Sequence, residues 1–370
     1  QAMATVPAGY GYNLLDADLT TVQQTAGSAM VGEMNSYYMF RVPTAKSALT
    51  GVLRGKNLIL ICADEWAPDP SDKRECPALH RLWREGAKLT RVYRPDWYQG
   101  SDGQEFALLT SLIPTSVNDG TALAWIGEQS IFLPFTLARC LGDSGYRTLA
   151  YLPDPERGDA YAALGFGEIF SHDGGALAMT SGALSVCAAD SEPFFVFLRW
   201  EGGGSEALTL LYDTLKDREL LDGTALCLLT AGAEEQRAQL FLWGGGLEDA
   251  GSAAPCSELD VTPTLLNLFG ADYDSRFLSG LDVFAGGGTP GTASSLTPLV
   301  TLYGSAFSDW VTDAGRYSAA ESAFWPAVSG FETVDEVTDY VRGVCALQYD
   351  RYVFSRRIME NNYFQLVFGE

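Results

Sequence analysis

The chain has 370 residues, enough for one large α/β domain or two smaller domains at about 100 to 200 residues each. Hydrophobic residues make up 47% of it and charged residues 19%, a composition that excludes intrinsic disorder and a fibrous protein. The 24 Lys and Arg against 47 Asp and Glu give a net charge of −23, which would repel a phosphate backbone. We therefore do not expect nucleic acid as a partner.

Neither the cysteines nor the first residues of the sequence indicate a specialised site or a targeting signal. The seven cysteines contain no Cys-x-x-Cys pair and mostly stand in apolar runs, so they are predicted to be core residues rather than a zinc site or a disulfide framework. No run of about 18 apolar residues occurs, and Gln1 to Gly9 lacks the basic and apolar regions of a signal peptide.

Residues 1–55 show only a weak pattern, which we interpret as a helical lead-in or linker. Six apolar residues follow at Leu58 to Ala63 and end in Asp64 and Glu65. A short continuous apolar run is typical of a parallel strand buried on both faces, and ligands bind at the carboxyl ends of such strands. The run therefore predicts a central strand with carboxylates at its functional end.

Strands and helices then alternate as far as residue 288. Strands are predicted at 89–93, 147–152, 194–198, 225–230 and 239–243, and helices at 77–86, 104–112, 134–141, 207–216 and 262–269. This alternation predicts an α/β fold, in which a mostly parallel central sheet over residues 56–288 is flanked by helices.

The pattern of the sequence changes after a Gly-rich segment at residues 286–291. Short strand-like pieces at 299–303 and 310–312 and a helix at 334–350 predict a small α+β subdomain over residues 289–370.

Seven segments follow one another in an informative order: Lys56 to Ile61, Trp97 to Phe106, Leu109 to Pro114, Gly145 to Thr148, Arg157 to Tyr161, Leu164 to Phe166 and, the most specific, Leu259 to Leu268. In this order they resemble the extracellular domain of lipoteichoic acid synthases in the sulfatase and alkaline phosphatase superfamily. The resemblance runs from Lys56 to the C-terminus.

The resemblance implies a site for phosphoryl transfer. Ser101 falls on the Thr nucleophile of the family, Asp64 on a metal-binding Glu, and Arg157 on an Arg that contacts the phosphate of the substrate. Where the late strand of the family ends in Gly-Asp-His with two metal ligands, this chain has Gly232, Ala233 and Glu234. Asp64, Ser101 and Glu234 are therefore the candidate ligands of a degenerate site for Mn²⁺ or Mg²⁺, if it binds a metal at all.

A second departure concerns a substrate-binding His that the family carries in a Ser-x-His-x-Pro loop. The chain instead runs through residues 201–205, of which three are Gly, into the next helix. Its two histidines, His80 and His172, stand at no matching position.

Two of the candidate residues also have simpler interpretations. Ser101 with Gln104 three residues later fits a capping box at a helix start. Arg157 is either a bidentate phosphate clamp or a solvated loop cation beside Asp154, Glu156 and Asp159.

Two functions follow from these observations. In the first, the domain is a non-catalytic binding or regulatory module on the extracellular face of a bacterial cytoplasmic membrane, anchored by transmembrane helices outside this chain. Its partner would be a cell-envelope glycerophosphate polymer, a phospholipid headgroup or a membrane protein. In the second, it is an active metal-dependent phosphoglycerol transferase, or a phospho- or sulfo-hydrolase, that uses Ser101 as its nucleophile.

Overall fold

The computed structural model describes residues 11–15, 29–63, 65–116, 120–187, 192–289 and 291–369. Its strands are β1 (Asn57–Ala63), β2 (Lys88–Leu89), β3 (Arg147–Leu152), β4 (Glu168–Ser171), β5 (Phe194–Arg199), β6 (Thr224–Ala231), β7 (Ala238–Trp243), β8 (Gly251–Ser252), β9 (Leu299–Thr301), β10 (Trp310–Thr312), β11 (Gly315–Ser318) and β12 (Ala323–Pro326).

The helices lie between and around these strands. They are α1 (Ala29–Phe40), α2 (Pro77–Glu85), α3 (Gly100–Thr110), α4 (Ala122–Glu128), α5 (Leu137–Asp143), α6 (Gly158–Ala163), α7 (Gly175–Cys187), α8 (Ser205–Asp217), α9 (Val261–Phe269), α10 (Val334–Asn361) and α11 (Tyr363–Phe368). Short 3-10 turns add Pro155–Arg157, Leu221–Gly223, Glu258–Asp260 and Ser275–Phe277.

A six-stranded sheet with the order β4-β3-β5-β1-β6-β7 forms the centre of the domain. All neighbouring strands are parallel except β6 and β7, which form an antiparallel hairpin at one edge. Leu60 of β1 stands beside Phe197 of β5 and Cys227 of β6. The predicted α/β fold with a mostly parallel central sheet is confirmed.

Strand β1 is buried on both faces because its side chains alternate between two separate apolar clusters. Leu58 and Leu60 belong to the larger cluster, which also contains apolar residues of α3, α5 and α9. Ile59 and Ile61 belong to a second cluster with residues of α2, α7 and α8. Helices therefore cover both faces of the sheet. Ligand-binding groups can lie only at its edges and at the ends of its strands.

The C-terminal part contains an antiparallel sheet with the strand order β12-β11-β10-β9. Helix α10 packs on it, with Tyr340 and Val344 in one cluster with Trp310. This helix extends eleven residues beyond the predicted end at residue 350, because residues 351–361 contain no Gly or Pro, and Asn362 then ends the helix in a left-handed conformation. Within the described residues, no helix has both the length and the apolar character needed to cross a bilayer.

Other local predictions also differ from the structure. The strand predicted at 89–93 is reduced to the short strand β2 and to single bridges at Val92 and Tyr93. This segment pairs partly with β8 and the residues after it and partly with the end of the β6–β7 turn, so it forms no continuous ladder with one partner. The helix predicted at 104–112 begins earlier, at Gly100. No element was predicted between residues 153 and 193, where the structure has α6, β4 and α7.

We predict that Gly280→Ala lowers the free energy of unfolding by about 1–3 kcal/mol, the usual cost of overpacking. A Cβ at residue 280 would lie 2.0 Å from the carbonyl oxygen of Leu259, so backbone would have to move. Gly223→Ala is the matched control, because a Cβ there meets no atom within 4 Å. Urea denaturation measures both variants, and equal stability of the two would contradict this close approach.

Candidate functional site

The N-terminus of α3 positions Ser101 at the carboxyl-end side of the sheet. Gly100 adopts a left-handed conformation (φ 57°), and its N–H donates to the carbonyl oxygen of Trp97 at 2.8 Å. Gln99 stands at the N-cap position of this helix, without a capping bond from its side chain, so Ser101 lies inside the first turn and is partly buried. The capping-box interpretation of Ser101 is therefore wrong, because a capping box requires Ser at the cap position itself.

The turn between β6 and β7 carries the two residues that replace the expected metal ligands. Its ends are joined by the Gly232 N–H, which donates to the Arg237 carbonyl at 2.9 Å. Ala233 and Glu234 lie at the tip and are exposed to solvent. The segment before α3 is fixed to this turn, since the Arg94 N–H donates to the Gln236 carbonyl at 2.9 Å.

A cavity of about 330 Å³ lies between the start of α3 and this turn. It brings together Ser101 and Glu234, which were predicted from sequence to share a site. Asp64, the third predicted ligand, lies outside the described residues. The cavity is lined by Arg94, Pro95, Asp96, Trp97, Gly100, Ser101, Gln104, Ala231, Gly232, Glu234, Glu235, Gln236 and Arg237.

The described side chains do not make up a site for a divalent cation. Mn²⁺ and Mg²⁺ need several oxygen ligands, and two predicted donors, the Ser101 hydroxyl and the Glu234 carboxylate, line the described part of the cavity. The methyl group of Ala233 cannot coordinate a metal. Across the part of the chain that the structure describes, no three His, Cys, Asp or Glu side chains lie close enough together to hold a metal ion.

Arg157 is engaged in a charge cluster beside the cavity rather than in its lining. Its guanidinium lies 2.6 Å from a carboxylate oxygen of Asp102 and 2.9 Å from one of Glu105. Glu105 is fully buried and also binds Arg199 at 2.8 Å and the hydroxyl of Tyr161. The solvated loop cation that the sequence allowed is thus wrong, because two carboxylates of α3 hold this side chain.

The sequence analysis missed Glu105 and Arg199. Both stand at positions where only the fold brings their charges together, one on α3 and the other at the end of β5. Their signal in the sequence is that each lies within an otherwise apolar stretch, Phe106 to Leu109 after the first and Phe194 to Leu198 before the second. A charged residue in such a context is buried only when it is paired.

A second buried carboxyl group contacts a residue of the cavity wall. Glu258 accepts a hydrogen bond from the indole N–H of Trp97, a residue that lines the cavity. Burial raises the pKa of Glu258 to about 8, although Trp97 and Arg94 act in the opposite direction. A pKa of about 8 keeps this carboxyl group mostly protonated at neutral pH, and within the described residues its second oxygen, Oε2, has no hydrogen-bond partner.

The loop after β5, where the resemblance would place a substrate-binding His, packs against two tryptophan side chains. Trp200 is fully buried, and its ring centroid lies 6.3 Å from that of Trp66. Gly204 rests on both rings: a Cβ there would lie 2.6 Å from Trp66 and 2.8 Å from Trp200. Neither His80 nor His172 lines the cavity.

The comparisons with known proteins bear on the fold. No protein-family model matches the sequence, and no curated protein matches it either. Among solved structures, the chain is similar to the lipoteichoic acid synthase LtaP from Listeria monocytogenes, with a TM-score of 0.68 and 15% identity over 89% of this chain and 98% of the other.

Two further structures give the same fold at lower similarity. A protein of the alkaline phosphatase superfamily from Vibrio parahaemolyticus has a TM-score of 0.59 and 15% identity, covering 93% of this chain and 99% of its own. The phosphonate monoester hydrolase of Agrobacterium radiobacter has a TM-score of 0.51 and 11% identity, covering 80% and 96%. The chain therefore has the sulfatase and alkaline phosphatase superfamily fold, in the form that resembles lipoteichoic acid synthases.

We predict that Glu105→Gln lowers the free energy of unfolding by about 3–5 kcal/mol, because the change leaves the buried charges of Arg157 and Arg199 without their shared carboxylate. Asp339→Asn is the matched control, since it breaks an ion pair with Arg342 in which both side chains are 72% exposed. Urea denaturation at pH 7 measures both, and a loss below about 1 kcal/mol for Glu105→Gln would contradict the role given to this cluster.

The raised pKa of Glu258 predicts a specific dependence of stability on pH. An unfolded Glu titrates near 4.3, so the folded state binds the extra proton between about pH 4.3 and 8. Its contribution to stability is complete below pH 4.3 and is lost as the pH rises towards 8. Asp260 and Asp282, with pKa values raised by burial to about 6 and about 7, act in the same direction.

Glu258→Gln, which keeps an acceptor for Trp97 and cannot ionise, should therefore flatten the loss of stability between pH 5 and 7 by up to about 1.4 kcal/mol per pH unit. Glu85→Gln is the control, because that side chain is 54% exposed. Denaturation curves across this pH range test the prediction, which fails if the variant and the wild type have parallel profiles.

Proposed function

We propose that this chain is a lipoteichoic acid synthase-like domain that binds a phosphate-bearing ligand of the bacterial cell envelope in the cavity beside Ser101 and does not transfer the phosphoryl group. The observation that carries the proposal is the β6–β7 turn. It offers the methyl group of Ala233 and the exposed carboxylate of Glu234 where the family resemblance implies two metal ligands.

The chemistry of the nucleophile supports this function. A Ser hydroxyl attacks phosphorus well only when its pKa is lowered, and in this superfamily a bound cation lowers it. Among the described residues that line the cavity with Ser101 there is no His and no Lys that could act as a base in place of the cation. The residue is therefore suited to donating a hydrogen bond to a bound anion.

The same cavity is equipped to hold an anion. Arg94 and Arg237 both line it, and the start of α3 adds backbone N–H groups with the positive end of the helix dipole. Three carboxylates, of Asp96, Glu234 and Glu235, also line it, but they are exposed to solvent, where water and salt screen them.

We further propose where the domain acts. The likeness to LtaP supports a position on the extracellular face of the cytoplasmic membrane, with transmembrane helices outside this chain as the anchor. A cell-envelope glycerophosphate polymer, a phospholipid headgroup or a membrane protein that carries such a group would then be the partner. With a net charge of −23, such a domain is repelled by an anionic lipid surface except where its Arg side chains face that surface.

Turnover and binding must be measured on the same purified domain. We expect no Mn²⁺-dependent release of glycerol phosphate from a phosphatidylglycerol analogue, and the same background rate in Ser101→Ala. Ala233→Asp combined with Glu234→His should gain Mn²⁺ binding, measured by calorimetry, without gaining turnover, because the His loop after β5 is not restored. Metal-dependent turnover by the wild type that Ser101→Ala abolishes would instead establish the active transferase or hydrolase.

Binding is tested with sn-glycerol 3-phosphate as the probe. Arg237→Gln should weaken its affinity by about tenfold or more, the usual cost of losing a hydrogen bond to a charged group. Arg342→Gln removes the same charge from an exposed site on α10 and should leave the affinity unchanged. Equal affinities for wild type and Arg237→Gln would refute the assignment of the cavity.

A further inference from the structure

Tyr93 and Arg237 contact each other beside the cavity. They are paired in an antiparallel bridge, which places their side chains on the same face of the two segments. The Cζ atom of Arg237 lies over the Tyr93 ring, 4.5 Å from its centroid. Both residues are partly buried, where a cation–π contact is stronger than at an exposed site. Of the two, only Arg237 lines the cavity, so any effect of Tyr93 on a ligand bound there is indirect.

The backbone of Arg237 is held within the β6–β7 turn. Its N–H donates to the Glu234 carbonyl at 3.2 Å, and its carbonyl accepts from the Gly232 N–H at 2.9 Å. A Cβ on residue 232 would lie 2.8 Å from the Cβ of Arg237, so the glycine allows this close approach. With its backbone fixed, Arg237 keeps its main freedom in the long side chain, whose rotamers must be restricted when it binds a ligand.

The Tyr93 ring is in turn held by the C-terminal sheet. It packs against a small buried cluster formed by Val300 of β9, Val311 of β10 and Leu302, which follows β9. None of the described residues that line the cavity belongs to this sheet. The ring contacts both the cluster and Arg237, so it links the C-terminal sheet to a residue of the cavity wall.

The contact with the ring leaves the guanidinium of Arg237 able to bind a ligand. Within the described residues, this guanidinium takes part in no ion pair and donates no hydrogen bond. Its attraction to the ring acts through charge and uses none of its five N–H donors, which can still bind a phosphate in a bidentate manner. A carboxylate in the place of the ring would also hold the side chain, but its negative charge would repel the phosphate.

We propose that Tyr93 is a positioning residue of the cavity: its ring, packed on the C-terminal sheet, orders the Arg237 side chain before a phosphate binds. This inference rests on the proposed function for the presence of the phosphate. An Arg that is already ordered loses less conformational entropy on binding, which for one long side chain corresponds to about 2- to 12-fold in affinity. The C-terminal sheet thereby contributes to binding through a single aromatic ring.

A double-mutant cycle separates this role from simple support of the cavity wall. If Tyr93 acts through Arg237, removal of the ring weakens binding only while Arg237 is present. If the ring only supports the wall, its removal weakens binding by the same factor with or without Arg237.

The test measures the binding of sn-glycerol 3-phosphate by calorimetry on the intact domain. We expect Tyr93→Leu to weaken the affinity by about 2- to 12-fold, and Tyr93→Phe, which keeps the ring, to match the wild type. In the Arg237→Gln background, Tyr93→Leu should cause no further loss. Tyr212→Leu is the matched control, because it removes another Tyr ring with an Arg Cζ, that of Arg81, 5.2 Å from its centroid, and it should leave the affinity unchanged.

The outcomes distinguish this inference from the proposed function. If the wild type does not bind sn-glycerol 3-phosphate, or binds it no more tightly than Arg237→Gln, the proposed function fails and this inference fails with it. If Arg237→Gln weakens binding but Tyr93→Leu does not, only the positioning role is overturned. Equal losses from Tyr93→Leu in both backgrounds, or equal losses from Tyr93→Phe and Tyr93→Leu, overturn it as well.

The folding of the variants is checked by urea denaturation before the affinities are compared. If Tyr93→Leu does not fold, Tyr93→Met takes its place in the same cycle, since Met also fills the site with an apolar side chain that has no ring. The expected result and the results that overturn the inference are then the same.

Discussion

The burial of β1 on both faces is the constraint on which the rest of this domain depends. Because its side chains are divided between two apolar clusters, neither face of the central sheet is available for polar chemistry. The charged groups described above lie beyond the carboxyl ends of the strands, where α3 contacts the end of β5 through Glu105 and Arg199 and faces the β6–β7 turn across the cavity. The same constraint explains the parallel order, since helices must return over both faces.

The parts of the fold that could be predicted are those that local pattern determines. Six consecutive apolar residues were enough to identify β1, and the ordered motifs were enough to identify the superfamily fold. The cavity could be predicted only in part: motif positions placed Ser101 and Glu234 together, but nothing local marks Arg94 and Arg237 as neighbours. Their proximity depends on the pairing of the segment before α3 with a hairpin far along the chain.

The charge cluster around Glu105 shows a different limit of sequence analysis. In the sequence, Arg157 stands among carboxylates that suggest a solvated loop, whereas its ion-pair partners in the fold, Asp102 and Glu105, come from α3. Burial changes the meaning of such a contact, because a buried carboxylate must be paired while an exposed one need not be. The helix that presents Ser101 is thus held by its own acidic residues to the end of β5 and to the 3-10 turn that follows β3.

The packing of Gly204 on Trp66 and Trp200 limits which residues this loop can accept. Any side chain at residue 204 would collide with the two indole rings, and Trp200 is itself fully buried. A substitution at residue 204 alone is therefore obstructed by the protein interior, and only a change that also makes one of the two tryptophans smaller would give it room. The sequence of this loop is thus coupled to that of the core beneath it, so the two segments can change only together.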